Sequence, residues 1–269
     1  LVAITERTGW RSYGVVPYLP AAARLPSEDS LPARRRAAGA DARLRVAVPM
    51  LSRIANFDDV DPLALEPDVA VEMVPPGAPL PVADVIVLPG TKATLADLAF
   101  TRAQGWDVDL AAHVRRGGVV VGLCGGFQML GTVVRDPEGV EGQPGEAPGL
   151  GLLAVETTLL PGKVVQKAAG VHRASGAPVV GYEIHAGRTT GPGLGRPWLT
   201  LDGRDEGAIA PSGRVMGTYL HGLFASDAFR SAFLASHGVA SRIDYEAEVE
   251  AALDALADHV EAHADVDAL

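Results

Sequence analysis

The chain has 269 residues, 48% of them hydrophobic and 21% charged, a composition that supports a buried core and excludes a disordered or fibrous protein. Its formal net charge of −10 disfavours nucleic acid as a partner, since an acidic surface repels phosphate groups. A single cysteine excludes an internal disulfide and a multi-cysteine metal site. The low cysteine content suits the reducing cytoplasm, where we expect the protein to act. No apolar run reaches the ~18 residues that cross a bilayer, so no membrane-spanning helix is predicted.

Residues 1–43 differ in composition from the rest of the chain. The segment 14–20 predicts a short strand that enters a turn, and the segment 34–39 is basic and rich in alanine, as expected for a solvated run of charge. Because the chain begins with Leu1 rather than Met, we expect it to be part of a longer protein. Residues 1–43 would then be a linker and the remnant of a preceding domain.

From Leu44 onward, short runs rich in β-branched residues alternate with segments of helical periodicity. The predicted strands are 44–49, 69–74, 85–88 and 119–123, and the predicted helices are 58–65, 94–104 and 107–116. This alternation predicts an α/β fold, with a mostly parallel central sheet flanked by helices.

The second half of the chain is richer in strands and ends in helices. Strands are predicted at 151–159, 163–167, 178–185, 207–210 and 214–220, and helices at 226–237 and 244–263. One apolar stripe follows the last helix and consists of Tyr245, Val249, Leu253, Leu256 and Val260. We therefore expect a main domain at 44–238 and a helical tail at 239–269.

Cys124 is the first candidate for catalysis. Glycines surround it in the segment 122–128 (Gly-Leu-Cys-Gly-Gly-Phe-Gln), so the backbone can turn sharply from a strand into a helix. Such an elbow lifts a nucleophile clear of the sheet and places a helix N-terminus beside the sulfur, where it favours a thiolate and a developing oxyanion. A small buried cysteine with a structural role is the alternative.

A thiolate nucleophile needs a proton-transfer partner, and two histidines compete for this role. His221 ends a predicted strand and precedes Gly222, at the edge where open α/β sheets build their sites. His185, in the segment 181–185, is the other candidate. Spacing alone favours His221 without excluding His185.

The loop that follows the predicted strand 85–88 is the expected second part of the site. Backbone N–H groups at Gly90 and Thr91 would complete an oxyanion hole with the N–H that follows Cys124. An ordinary turn between a strand and a helix is the alternative.

Other motifs predict neither a nucleotide nor a metal. The sequence has no Gly-x4-Gly-Lys-Ser/Thr phosphate loop. His259 and His263 have the spacing of a metal-chelating pair, but no third ligand accompanies them, and a solvated helix face is the expected arrangement.

These motifs resemble those of a known family. The segment 122–128 is similar to the nucleophile motif of class I, triad-type glutamine amidotransferases. Within that group, the segments 87–98, 181–189 and 217–224 resemble the cobyric acid synthases of cobalamin biosynthesis. The segment 26–31 (Pro-Ser-Glu-Asp-Ser-Leu) resembles the one that joins that family's two domains.

The resemblance implies a flavodoxin-like amidotransferase fold. It also implies a ligase that uses glutamine and ATP to amidate peripheral carboxylates of adenosylcobyrinic acid a,c-diamide. In this family pattern Cys124 is the nucleophile and His221, rather than His185, is the catalytic histidine. The other matched positions are those of oxyanion and substrate-glutamine contacts: Gly90, Gly125 and Gln128.

Two departures from the pattern affect what the chain is expected to do. Triad-type enzymes place a Glu two residues after the histidine, where this chain has Leu223, and Glu183 is a possible substitute. The family's ATP-binding domain, which would carry ATP, Mg and the corrinoid substrate, is missing from this sequence apart from residues 1–25, which resemble its last strand and exit. The chain alone is therefore expected to have at most glutaminase activity, with no cofactor of its own.

Two other interpretations remain open. One is a free-standing glutaminase subunit of another ATP-dependent amidoligase, such as one that amidates cell-wall precursors, and the segment 26–31 argues against it. The other is a catalytically silent binding module, against which the presence of both Cys124 and His221 argues.

Overall fold

The computed structural model describes residues 2–25 and 42–268. The predicted joining segment 26–31 and the arginines of 34–39 lie outside the described residues. The chain divides into two compact units, one with the described residues of 1–27 and 244–269, the other with those of 28–243. This division differs from the predicted parts 1–43, 44–238 and 239–269, because the N-terminal segment and the last helix belong to the same unit.

Helices and strands follow one another along the chain in the predicted α/β manner. The helices are α1 (Val2–Thr8), α2 (Asp61–Leu65), α3 (Thr94–Ala103), α4 (Trp106–Arg115), α5 (Gly125–Leu130), α6 (Asp227–Ser236) and α7 (Tyr245–His263). Short 3-10 helices lie at Pro20–Arg24, Phe57–Val60, Pro192–Gly195, Leu223–Ala225 and Val266–Ala268. The strands are β1 (Leu44–Pro49), β2 (Ile54–Ala55), β3 (Val69–Val74), β4 (Val85–Leu88), β5 (Gly90–Thr91), β6 (Val119–Leu123), β7 (Val133–Asp136), β8 (Gly145–Pro148), β9 (Glu156–His172), β10 (Pro178–Thr190), β11 (Leu199–Leu201), β12 (Arg204–Glu206), β13 (Ala208–Ile209), β14 (Val215–Thr218) and β15 (Leu220–His221).

The central sheet has the strand order β13-β14-β6-β4-β1-β3. All its neighbours pair in parallel except β13, which is antiparallel to β14 at one edge. The predicted strands 44–49, 69–74, 85–88 and 119–123 coincide with β1, β3, β4 and β6. The mostly parallel sheet flanked by helices is confirmed.

Both faces of the central sheet are covered, and β4 shows how. Val85 and Val87 belong to one hydrophobic core, together with residues of α2 and α6. Ile86 and Leu88 point to the opposite core, which includes residues of α3 and α4. A strand that is buried on both faces needs apolar residues at every position, and this explains why its sequence does not alternate.

A second, mostly antiparallel sheet contains the long hairpin β9–β10, in the order β12-β11-β9-β10-β15. The predicted strands 151–159 and 163–167 were wrong in their bounds, since one continuous strand runs from Glu156 to His172. Pro161 and Gly162 lie within residues 159–162 of β9, which stand opposite the single residue Gly187 of β10 where the pairing register shifts. A bulge of this kind lets a strand continue across residues that do not fit the ladder.

The smaller unit consists of α1, the 3-10 helix Pro20–Arg24 and α7. The strand predicted for 14–20 is reduced to one bridge between Gly14 and Ala264, and the first described residues are helical. Asp244 caps α7 by accepting a hydrogen bond from the N–H of Ala247 at 3.0 Å. The predicted stripe of α7 is incomplete, because Leu253 is 44% exposed.

In the described part of the chain, no helix is both long and apolar enough to cross a membrane.

Candidate active site

Cys124 lies on a sharp turn between β6 and α5. Its backbone angles are φ 51° and ψ −111°, a conformation that non-glycine residues rarely adopt. Close packing holds the turn, since a Cβ placed on Gly126 would lie 2.0 Å from the carbonyl oxygen of Leu88. The elbow predicted from the glycines is therefore present in the structure.

The Cys124 thiol faces a cavity at the carboxyl ends of the parallel strands. The backbone N–H of Cys124 donates to the carbonyl of Thr218 at 2.8 Å, which ties the elbow to β14. The thiol is within hydrogen-bond distance, 3.3 Å, of the carbonyl oxygen of Ile184 in β10. The residue is 9% exposed, so the sulfur is sheltered but borders the cavity.

His221 lies at the same edge of the sheet and is paired with Asp59. Its Nδ1 is 2.7 Å from Asp59 Oδ2, and both side chains are buried. The other carboxylate oxygen of Asp59 accepts the backbone N–H of Gly222 at 2.7 Å. A carboxylate on Nδ1 fixes the ring orientation and leaves Nε2 available for proton transfer.

The charge state of His221 follows from this pairing. Burial disfavours the charged ring, but the hydrogen bond to Asp59 and the negative charges of Asp59 and of a Cys124 thiolate outweigh this effect and raise the pKa of His221 above its ordinary value. Nε2 is buried and makes no hydrogen bond to another described residue. The arrangement suits a protonated imidazole that gives up its proton to a reacting group beside Cys124.

Gly90 lies between the nucleophile and the histidine. A Cβ at this position would be 3.4 Å from His221 Cε1 and 3.8 Å from Cys124 Cβ, so both side chains surround the same backbone segment. Tyr182 stacks on the imidazole, with ring centroids 5.2 Å apart. The two catalytic candidates are thus held around one point at the sheet edge.

Asp97 holds the loop that contains Gly90 and Thr91. This buried carboxylate accepts hydrogen bonds from the Thr91 hydroxyl and from the backbone N–H groups of Ser52 and Arg53. A Cβ on Gly125 would lie 3.0 Å from the Thr91 nitrogen, so the loop packs directly on the start of α5. The predicted oxyanion residues Gly90, Thr91 and Gly125 are therefore brought together.

Gln128 lines the cavity, but its amide is engaged by the protein. Its Nε2 donates to the carbonyl of Ala186 at 3.1 Å and to the hydroxyl of Tyr219 at 3.3 Å. Its Oε1 accepts the hydroxyl of Thr94 at 3.0 Å. These bonds fix the cavity wall, and the contact with substrate glutamine stays a prediction.

The two supporting residues expected from sequence occupy different surroundings. Glu183 does not face His221 Nδ1, since its carboxylate accepts from Gln166 at 2.7 Å and from Arg204. Asp59 takes the orienting position for which Glu183 was the suggested substitute. His185 borders the cavity and stacks on Tyr219 with centroids 3.8 Å apart, and burial lowers its pKa.

The cavity beside Cys124 has a volume of about 230 Å³. Three charged residues border it, Lys92, Glu141 and Lys163. Its remaining lining residues are Ala55, Asn56, Gly90, Thr91, Cys124, Gln128, Val140, Ile184, His185 and Ala186. A small polar molecule that carries one positive and one negative group would fit this lining.

Among the described residues, no group of three or more His, Cys, Asp or Glu side chains is arranged to hold a metal ion. The His259 and His263 rings lie 4.3 Å apart on α7, and His259 Nε2 is 3.0 Å from the carbonyl oxygen of Pro17.

Comparison with known proteins identifies the family. A sequence profile of the CobB/CobQ-like glutamine amidotransferase domain matches residues 45–229. The chain belongs to this family. A crystal structure of a glutamine amidotransferase superposes on the domain with a TM-score of 0.52 at 17% identity, covering 72% of this chain and 99% of that one. At this identity the likeness shows the amidotransferase fold.

Relatives of this amidotransferase domain named cobyric acid synthase are similar along nearly the whole chain. The protein from Paracoccus denitrificans is 58% identical over 267 residues, which are 99% of this chain and 55% of that protein. The Cereibacter sphaeroides protein is 58% identical over 265 residues and the Brucella anthropi protein 56% identical over 271, again covering 55% and 56% of the relatives. The chain spans about half the length of the curated relatives that it matches.

The carboxylate of this amidotransferase site is not among the residues predicted from the sequence. Asp59 lies in the 3-10 helix Phe57–Val60, at the start of the segment 58–65, which is predicted as a helix between two strands. Its position in the loops after β1, near the carboxyl edge of the parallel sheet, was the available signal. Glu141 was missed as well, because its loop has no motif.

Proposed function

We propose that this chain hydrolyses the side-chain amide of glutamine at Cys124 and supplies the ammonia to an amidation reaction. The observation that carries the proposal is the constellation of Cys124 on a strained elbow, His221 at the same sheet edge, and Asp59 bonded to His221 at 2.7 Å. This is the geometry of nucleophile, proton-transfer base and orienting carboxylate.

The first half-reaction forms a thioester. The Cys124 sulfur attacks the amide carbon of the substrate, and the backbone N–H groups at Gly90 and Gly125 stabilise the oxyanion, each by about 2.7–4 kcal/mol in comparable sites. The imidazolium of His221 donates its proton to the amide nitrogen, the carbon–nitrogen bond breaks, and ammonia leaves.

The second half-reaction releases glutamate. The neutral ring of His221 removes a proton from water as the water attacks the thioester carbon. The carbon–sulfur bond then breaks, glutamate leaves, and the imidazole is protonated again beside the thiolate. Asp59 keeps the ring in one orientation through both steps.

The substrate of the amidation is proposed from the relatives. Proteins named cobyric acid synthase match this chain at 54–58% identity, and the chain spans about 55% of their length. We assign this chain to the glutamine-hydrolysing part of such a synthase, whose ammonia amidates corrinoid carboxylates in the cytoplasm. ATP and Mg would bind in the other part, and titration of this chain with Mg-ATP is expected to give no specific binding.

Covalent labelling tests the proposal directly. Diazo-oxo-norleucine, an electrophilic glutamine analogue, is expected to add one label per chain at Cys124, and glutamine protects against it. Cys124→Ser is expected to abolish both labelling and glutamate release, whereas exposed Ser175→Ala keeps them. Labelling at another residue, or full hydrolysis by Cys124→Ser, would contradict the assignment of Cys124. A wild-type chain that neither takes up the label nor releases glutamate would favour a silent binding module.

A further inference from the structure

The cavity contains charged groups that amide hydrolysis does not use. Cys124, His221 and Asp59 account for the chemistry at the carbonyl carbon. The same cavity is bordered by the carboxylate of Glu141 and by the lysines Lys92 and Lys163. These groups are available to bind the part of a substrate that does not react.

Glu141 is held in place by two sets of hydrogen bonds. Its Oε2 accepts the backbone N–H of Thr94 at 2.6 Å. The buried carboxylate of Asp136 accepts the N–H groups of Val140 and Glu141 at 2.7 and 3.0 Å, which fixes the backbone of this loop. A carboxylate has about four acceptor positions, so the bond from Thr94 leaves capacity for a ligand.

The position of Glu141 is connected to the reacting end of the cavity. Thr94 donates its N–H to the carboxylate of Glu141 and its hydroxyl to the side-chain amide of Gln128. One residue therefore fixes both groups in the lining of the cavity. Gln128 lies one turn after Cys124 in α5. A ligand that reaches from the sulfur to Glu141 therefore contacts a wall with few freely rotating groups.

The charges of the cavity complement those of a free amino acid. An α-ammonium group has three N–H donors that need acceptors, and an α-carboxylate needs cations or N–H donors. The volume of about 230 Å³ is below the range of roughly 300–1,000 Å³ that drug-sized ligands occupy, so the site suits a molecule as small as one amino acid.

We propose that Glu141 binds the α-ammonium group of the substrate glutamine and that Lys92 and Lys163 bind its α-carboxylate. The inference rests on the proposed glutamine hydrolysis at Cys124 and adds the residues that select a free amino acid. Glutamine within a peptide, which lacks these two charges, is then a poor substrate.

Glutamine analogues test the role of Glu141. 4-Carbamoylbutanoate is glutamine without the α-amino group, and its kcat/KM relative to glutamine measures how much that group contributes. Glu141→Gln is expected to reduce this preference for glutamine about tenfold or more, the effect of a hydrogen bond to a charged group. Glu138→Gln, an exposed carboxylate of the same loop, is the matched control and keeps the wild-type preference.

The lysines are tested with the complementary analogue. 4-Aminobutanamide is glutamine without the α-carboxylate. The double variant Lys92→Met/Lys163→Met is expected to lose most of its preference for glutamine over this analogue, about tenfold. Lys167→Met removes an exposed lysine of the same strand as Lys163 and serves as the control.

Cysteine labelling separates failure of this inference from failure of the proposed function. Glu141→Gln is expected to slow labelling of Cys124 by diazo-oxo-norleucine about tenfold. Iodoacetamide has no amino-acid end, so its rate of reaction with Cys124 should be unchanged and shows that the site is intact. If the wild-type chain neither hydrolyses glutamine nor reacts with diazo-oxo-norleucine, the proposed function is wrong. If the wild type hydrolyses glutamine and reacts with diazo-oxo-norleucine, but Glu141→Gln keeps the wild-type preference for glutamine over 4-carbamoylbutanoate, the assignment of Glu141 is overturned.

Discussion

Asp59 Oδ2 lies 2.7 Å from His221 Nδ1, although the two residues are 162 positions apart in the sequence. The carboxylate comes from a 3-10 helix after β1 and the histidine from the end of β15. Leu223, at the position where triad-type enzymes have a Glu, is buried in the hydrophobic core instead. The orienting carboxylate of this site is thus supplied from the opposite end of the domain sequence.

Replacement of Asp59 by Asn should lower kcat/KM for glutamine hydrolysis by about 10²–10⁴-fold, because the ring loses its orientation and its preferred tautomer. Asp59 also raises the pKa of His221. The ionisation of His221 should therefore move to lower pH in the rate profile of Asp59→Asn. Steady-state assays between pH 5 and 10 measure both effects. Asp58→Asn, which leaves the bond between Asp59 and His221 in place, is the control, and an equal loss in both variants would argue against a role in orientation.

The two candidate histidines, His221 and His185, should respond differently to substitution. His221→Asn should abolish glutamate release, because the proposed mechanism takes both proton transfers through the imidazole that Asp59 orients. His185→Asn should retain measurable activity, since His185 is held by stacking on Tyr219 and not by a carboxylate pair. Glutamate production by each variant, measured at saturating glutamine, decides between them, and the reverse result would assign the catalytic role to His185.

Gly126 is predicted to be intolerant of any side chain. A Cβ there meets the Leu88 carbonyl oxygen at 2.0 Å, so α5 must move away from β4 in Gly126→Ala. We expect a loss of about 1–3 kcal/mol in the free energy of unfolding, the usual cost of overpacking. Gly195→Ala is the control, because nothing lies within 4 Å of a Cβ at Gly195. Urea denaturation of both variants measures the difference, and equal stabilities would contradict the close packing of the elbow.

The buried carboxyl group of Glu206 predicts a pH-dependent stability. Burial raises its pKa from 4.5 to about 7, although hydrogen bonds from Thr218 and Tyr219 act in the opposite direction. Because its pKa is higher in the folded chain than in the unfolded chain, Glu206 contributes most to the stability below about pH 4.5. This contribution is lost as the pH rises through about 7.

The variant Glu206→Gln mimics the protonated group and should remove this dependence. Between pH 4.5 and 8 the free energy of unfolding of the wild type should fall by about 3 kcal/mol more than that of the variant. Urea denaturation at several pH values measures it, with exposed Asp205→Asn as the control. If the free energy of unfolding changes with pH in the same way for the wild type and Glu206→Gln, ionisation of Glu206 does not destabilise the fold and the prediction is wrong.

The parts of the fold that follow from local pattern could be predicted, and those that depend on long-range pairing could not. The strands β1, β3, β4 and β6 are short, β-branched and bounded by turn residues, so their limits match the sequence pattern. The hairpin strand β9 runs through Pro161 and Gly162, because β9 bulges there and resumes its pairing with β10 beyond Gly187, which no local signal reveals.

The residues of the candidate active site divide in the same way, into those marked by local sequence and those marked only by long-range contacts. Cys124 could be found because the elbow requires glycines next to it in the sequence. Asp59 could not be singled out, since what marks it is a contact with a residue 162 positions away. Glu141 lies in a loop positioned by Asp136 and Thr94, and only the folded chain shows that this loop borders the cavity.

The strand β14 also has a consequence for when the protein first becomes reactive. Cys124 is tied to Thr218 of β14, and His221 follows that strand three residues later. A ribosome that synthesises the chain from its N-terminus has already released Asp59 and Cys124 from the exit tunnel well before it adds His221. A nascent chain therefore carries its nucleophile without a base, and it cannot consume cellular glutamine until the last parallel strand has joined the sheet.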